Sequence, residues 1–213
     1  MRKHLVLFFC LFVFAAGCAT TDTVSREQKD QAFEYLKEGG EYFADASYEK
    51  AIAAYKRALD IMPDYPYTYF NIAVAYEMLK VNERALEYYT KAISLKADDP
   101  LFHYSVGVVQ SKEKRYQEAC DAFSQAFRIN PAYADAAYGI GWSSEEMGKD
   151  SEALAWYRKV LAIDPYHARA HSSLGHLLLR MGDRKGAMQE YDELLGIDPG
   201  RANSLLSAIE SSR

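Results

Sequence analysis

The chain repeats itself every 34 residues, and a unit that short cannot bury an apolar face alone. Ala51, Ala85, Ala119, Ala153 and Ala187 recur at this interval, as do the aromatics Tyr55, Tyr89, Phe123, Tyr157 and Tyr191. Small residues keep step at Gly39, Ala73, Gly107, Gly141 and Gly175, and Pro63, Pro131, Pro165 and Pro199 close four units, with Ala97 where the proline is absent. No insertion breaks the frame from residue 32 to 201. A fixed period of roughly 20 to 50 residues marks stacked units that share one continuous core. Only 6 of the 213 residues are proline, while Ala, Glu, Lys and Leu abound, so the units are expected to be helical.

Each unit reads as two helices, for example one from about Tyr69 to Leu79 and a second from about Glu83 to Leu95. The alanine column, with Ile52, Leu86, Cys120, Leu154 and Met188 beside it, lies one turn from the aromatic column and fills the seam. Ile-Asp-Pro at 163 to 165 and at 197 to 199 ends a helix, because the residue before a proline is pushed out of helical geometry. Pro66 and Pro100 open helices, where a missing N–H costs nothing.

These spacings and residue types resemble the tetratricopeptide repeat (TPR) family over about four fifths of the chain. The resemblance implies an all-α fold, a right-handed α-solenoid of five helix-turn-helix repeats at 32–65, 66–99, 100–133, 134–167 and 168–201. A stripe of Leu205, Ala208 and Ile209 marks a C-terminal capping helix over 202–213. Where the family favours Trp near the start of each unit, this chain has Tyr35, Tyr69, His103, Ala137 and His171, and Glu38 replaces the usual Leu in the terminal unit. Ser25 with Gln28 forms a capping-box pattern that starts the first helix well before residue 32.

The N-terminus reads as an export signal. Basic residues in Met1–His4 precede ten apolar residues, Leu5–Phe14, too few for the roughly 20 that span a bilayer. Ala15-Ala16-Gly17-Cys18 then resembles the lipobox of bacterial lipoproteins, with Ala15 in place of the usual Leu. The resemblance implies removal of residues 1–17, lipidation of Cys18, and a tether and helix start over 18–31. An ordinary cleaved signal with Cys18 a free thiol, and an uncleaved anchor, are the alternative readings. Two or three acyl chains, at about 0.8 kcal/mol per buried methylene, hold a protein durably on a membrane. Ala19 and Thr20 stand where the family's inner-membrane retention signal has Asp, which favours the outer membrane with the body facing the periplasm.

Charge and motif content narrow the function. Losing Arg2 and Lys3 with the leader takes the formal charge from −5 to −7, which argues against nucleic acid as a partner. Gly139-Ile140-Gly141 falls inside a helix at the small-residue column, with no phosphate loop before it. His167 and His171 are four residues apart, yet one belongs to a turn and the other replaces a packing residue, and His176 is expected at the surface. Cys120 belongs to the core column, and with Cys10 in the leader and Cys18 lipidated no intramolecular disulfide is expected. No catalytic residue, metal ligand or cofactor is therefore assigned, and the chain is not expected to be an enzyme.

In the TPR family the first helices of successive units line a concave face that takes up partner helices or peptides. The matching columns here hold Phe33, Tyr67 and Leu101, then Leu36, Phe70, Tyr104 and Tyr138, then Val74, Val108 and Trp142, with Phe43 and Met78 nearby. Seven of these twelve are aromatic, and at roughly 150–250 Å² each they carry about 1,000 Å² or more. Monomers rarely expose more than a few hundred Å² of contiguous apolar surface, so the face is expected to be covered by neighbouring helices, by a partner or by a second copy. Asp135, Glu145 and Glu146 with Arg169, His176 and Arg180 give it a mixed polar end suited to an amphipathic helix. The family's carboxylate clamp for chaperone tails maps onto Leu36, Gly40, Asn71, Leu101 and Ser105, of which only Asn71 fits. The resemblance thus implies a membrane-tethered adaptor or assembly factor for another envelope protein, or a self-associating structural lipoprotein such as a homodimer. Pilus-assembly relatives carry an Asn-rich, Cys-containing stretch that this chain lacks.

Overall fold

The computed structural model describes residues 24–212, which form eleven α-helices and, among those residues, no strand. The expected leader at 1–17, Cys18 and the residues just after it lie outside the described residues. Five helix pairs follow one another: α1 (Arg26–Ala44) with α2 (Tyr48–Ile61), α3 (Pro66–Met78) with α4 (Asn82–Leu95), and α5 (Pro100–Lys112) with α6 (Tyr116–Ile129). Then come α7 (Ala134–Glu146) with α8 (Asp150–Ile163), α9 (Ala168–Arg180) with α10 (Arg184–Ile197), and a last helix α11 (Pro199–Ser211). Each packs chiefly on its predecessor and successor, while α5 touches α7 and α9 touches α11. The chain is an all-α solenoid in which every unit depends on its neighbours.

The repeated columns do the packing. All five alanines are fully buried, and so are the rings of Tyr55, Tyr89, Phe123 and Tyr157, whereas Tyr191 in the last repeat is half-buried. In the neighbouring column Ile52 and Cys120 are buried and Leu86 and Leu154 half-buried, but Met188 is 41% exposed, because only the single helix α11 follows it. The ring of Phe123 shows why the small column must stay small: a Cβ added at Gly107 would come within 2.7 Å of it, as would one added at Gly139 of the next unit.

Both ends are capped. Ser25 Oγ accepts from the Gln28 N–H at 3.2 Å and Gln28 Oε1 from the Ser25 N–H at 2.9 Å, which starts α1 at Arg26. Helix α11 begins at Pro199, ahead of residue 202, because proline needs no N–H partner there and Asp198 caps the Arg201 N–H at 3.1 Å. Leu205 and Ile209 of this helix are buried and Ala208 is half-buried. On the outer surface Glu87 pairs with Arg84 at 2.8 Å, one turn back.

A further period governs the turn inside each unit. Ala46, Lys80, Lys114, Gly148 and Gly182, again 34 residues apart, all have positive φ, between 56° and 86°. The next N–H in each case bonds back to a carbonyl in the last turn of the first helix, as Lys149 does to Ser144 at 2.9 Å. Three units therefore carry a side chain in left-handed backbone, which costs roughly 1–2 kcal/mol per residue. Gly148→Ala should lower stability by about 1 kcal/mol, read as a shift in the urea midpoint at unchanged slope. An unchanged midpoint would contradict this account of the turn.

Candidate functional site

The first helices α1, α3, α5 and α7 carry the ten residues expected to line a binding face, at different depths. Phe33, 50% exposed, and the exposed Tyr67 and Leu101 sit towards the starts of their helices. Leu36, Phe70, Val74, Tyr104, Val108 and Trp142 are half-buried. Tyr138 is only 8% exposed: its ring stacks on His167 at 5.3 Å, Arg169 lies 4.2 Å from its centroid, and its hydroxyl bonds Ser173 at 3.0 Å. It is held by the next repeat and is no free anchor. Of the two neighbouring residues, Phe43 is half-buried and Met78 exposed.

Rings run between the units without forming one open trough. Phe70 stacks on Phe102 at 5.1 Å, Tyr104 lies 5.0 Å from Tyr133 and 5.5 Å from Phe123, and Trp142 meets Tyr116 edge-on at 5.6 Å. Burial, with Tyr104 and Asp135 nearby, pushes the Tyr133 hydroxyl up to about 12.

Buried polar sets close two of the units. The Tyr89 hydroxyl donates to Glu77 at 3.0 Å, and Lys112 of the next repeat donates to the same carboxylate at 2.6 Å. Two repeats on, Tyr157 donates to Glu145 at 2.6 Å, and Arg180 binds both Glu145 at 2.9 Å and Asp150 at 2.8 Å. Burial first, and then the carboxylate, raise the pKa of each tyrosine above its ordinary value, so both hydroxyls stay protonated donors. Ser105 and Ser173 stand at the matching position of the following helices.

The third unit has none of these groups. Phe123 stands in place of the tyrosine, Ser111 of the glutamate and Gly139 of the serine. A cavity of about 270 Å³ lies there, walled by Tyr104, Val108, Ser111, Phe123, Tyr138, Gly139 and Trp142, with Lys112, Asp135 and Arg169 at its edge. A smaller one of about 120 Å³ occupies the same positions two repeats earlier, lined by Phe43, Tyr55, Phe70, Asn71 and Val74. Sequence reasoning passed over Ser111 and Phe123 as site residues, although a unit-by-unit comparison of the 34-residue frame displays both substitutions.

The mixed polar end is largely spent within the chain. Arg169 lies 3.7 Å from Asp135, and Arg180 takes Glu145 and Asp150, so these groups tie the fourth repeat to the fifth. His176 is half-buried with Nδ1 2.7 Å from the Ser172 carbonyl, and is not the surface residue expected. His167 Nδ1 accepts from the Ala170 N–H at 3.1 Å and its Nε2 lies 3.4 Å from Asp135. Burial raises the Cys120 thiol pKa, which keeps it a neutral core side chain.

His171, 6% exposed, places Nδ1 2.6 Å from Glu190 and Nε2 3.0 Å from the Pro165 carbonyl. His103 makes the equivalent contact to the Ala97 carbonyl at 3.0 Å. Both partners of His171 accept hydrogen bonds, which suits an imidazolium that donates from both nitrogens.

The chain belongs to the tetratricopeptide repeat family. Family models described as TPR repeat match residues 39–80 and 146–182, and models described as tetratricopeptide repeat match 66–99, 102–133 and 168–201. Among solved structures, MamA protein is 26% identical over 82% of this chain and 95% of its own, with a TM-score of 0.71. YrrB, described as a TPR protein with an unusual peptide-binding site, is 22% identical over 85% and 94%, with a TM-score of 0.69. PilF of Pseudomonas aeruginosa is 21% identical over 80% and 78%, with a TM-score of 0.71. At such identities YrrB and PilF share the fold alone. No curated protein matches the sequence.

The histidine gives a pH prediction. Hydrogen bonding to Glu190 raises the His171 pKa against the opposing effect of burial, with Pro165 and Glu193 adding to the rise. Its stabilisation is thus fully present below the unfolded value of about 6.5 and is lost as pH rises through the folded value. Amide exchange in α9 and α10 should be slower at pH 5.5 than at pH 8.5 after correction for intrinsic rates, and His171→Gln should flatten the difference. Equal pH dependence in the two proteins would contradict the assignment.

Proposed function

We propose that this protein is a lipid-anchored adaptor or assembly factor of the bacterial cell envelope, which binds a helix or peptide of another envelope protein on its first-helix face. The observation that carries the binding reading is the apolar hollow of the third unit with the half-buried Trp142 at its wall, on the face where the family takes up partners. Small apolar-walled concavities with a few polar groups are the usual shape of recognition sites. The anchor reading rests on the basic start, the ten-residue apolar run and Ala15-Ala16-Gly17-Cys18. Outer-membrane attachment facing the periplasm follows from the absence of Asp after Cys18. The described residues hold no group of three or more His, Cys, Asp or Glu that could ligate a metal, and we assign the chain no chemistry of its own.

Interface energy concentrates in a few Trp and Tyr anchors, and losing one costs about 2 kcal/mol or more, roughly thirtyfold in affinity. Once crosslinking in membranes has identified the partner, Trp142→Ser should weaken its capture by about that factor while the helical circular-dichroism signal stays intact. Capture at normal affinity would move the working surface elsewhere, and loss of a dimer by light scattering instead would make the partner a second copy. For the anchor, Cys18→Ser should abolish palmitate labelling. A variant that keeps the label would refute it.

A further inference from the structure

The last repeat presents a face that the earlier repeats cover. In the first unit Ile52 and Leu59 of α2 pack under Tyr76, Leu79 and Tyr88 of the second, and in the third unit Phe127 meets Trp156 of the fourth edge-on at 5.4 Å. The same two positions of α10 hold Met188 and Leu195, which are 41% and 46% exposed. Helix α11 packs on α9 and α10 as α7 packs on α5 and α6, in the place of a first helix. Among the described residues no second helix follows it, so this stripe of α10 is left without a neighbour.

Two charges stand on the stripe, and both are reversed relative to the earlier repeats. Lys185 takes the position of Glu49 and Glu83, and Asp192 that of Lys56 and Arg158. A lysine in the first turn of a helix opposes the macrodipole that the earlier glutamates complement. By helical spacing Lys185, Met188, Asp192 and Leu195 share one face of α10. Lys185 and Asp192 are exposed, and among the described residues neither forms an ion pair. Two turns, roughly 10 Å, separate them along the helix, so they cannot meet within one chain.

The order of these charges selects the occupant. When a second α10 lies antiparallel on the first about a two-fold axis beside Met188, Lys185 of each copy falls opposite Asp192 of the other. The same register sets Met188 against Met188 at the axis, and sets each Leu195 opposite Gly182, which has no side chain to obstruct it. Such a pairing is self-complementary and closes at two copies. Head-to-tail stacking onto the first unit does not fit. There Glu38 and Asp45 stand where the fourth unit packs Ile140 and Met147 on its predecessor, and burial against Met188 and Leu195 would strip both acids of water. One 14-residue helix, about 21 Å long, from each copy buries less than the roughly 1,200 Å² of a standard interface, so the pairing is a weak one.

We propose that the last repeat is a self-association surface, where α10 pairs antiparallel with α10 of a second copy through Met188 and Leu195, in a register set by Lys185 and Asp192. This surface is separate from the first-helix face, so either reading can fail while the other stands.

Covalent trapping suits a weak interface. Two differently tagged copies of the full-length chain are co-expressed, each with a photoreactive side chain at the exposed Gln189, beside the axis. Irradiation is expected to give a species of twice the chain mass that carries both tags. K185E and D192K each set like charges opposite one another, and because the two-fold axis repeats each change, either should cut the yield by about fivefold. The double variant K185E/D192K exchanges the two signs and should restore the yield, which a defect in folding could not do. The proposal is overturned by the absence of a doubly tagged species, by crosslinks to a different protein alone, or by a yield indifferent to both single reversals. A double variant no better than the single ones would also overturn it.

Discussion

The packing of this solenoid turns on an aromatic ring pressed against a small residue. In the third repeat Phe123 lies between Gly107 of its own unit and Gly139 of the next, each too near the ring to carry a Cβ. One ring therefore sets both the distance between the two helices of a unit and the distance to the following unit. Overfilling such a seam costs typically 1–3 kcal/mol. The contact of a ring with the glycine of its own unit recurs at Gly39 with Tyr55 and at Gly141 with Tyr157, so the frame is stiff where ring and small column meet, and variation is left to positions beside them.

Those positions carry the differences between repeats. Tyr89, Glu77 and Lys112 make one closed set, and Tyr157, Glu145 and Arg180 another. In each, the cation comes from the next repeat, so the set also pins neighbouring units in register. A half-buried carboxylate is tolerable there because hydroxyl and cation satisfy it together. Where the set is replaced by Phe123 and Ser111 the registering contact is lost and a cavity appears. A contact between units and open space are thus exchanged at these positions of the repeat.

The period made most of the fold legible. A one-dimensional stack can be read from one unit, and the Ser25 and Gln28 cap, the alanine column and the helix-opening prolines all follow local rules. The candidate face was legible only as a set of columns. Tyr138 reads as an exposed anchor because its cover, His167 at the end of its own unit and Arg169 of the next, lies beyond any helical spacing. The pairing of Arg180 with Glu145, 35 residues apart, is hidden for the same reason. The residues in left-handed turns escaped notice because Ala46, Lys80 and Lys114 share a conformation with Gly148 and Gly182 but not a residue type. Ser111, Phe123 and Gly139 are visible one by one as departures from their columns, and only packing shows that they meet.

The central claim is that the first-helix face around the third unit is where another protein sits. Site-specific photocrosslinking in living cells addresses it directly, with the reactive side chain placed at Val108 on the wall of the hollow or at Glu87 on the outer surface. The account predicts a discrete crosslinked species from position 108 and none from position 87. Crosslinks from position 87 with none from 108 would place the working surface on the opposite face and contradict it.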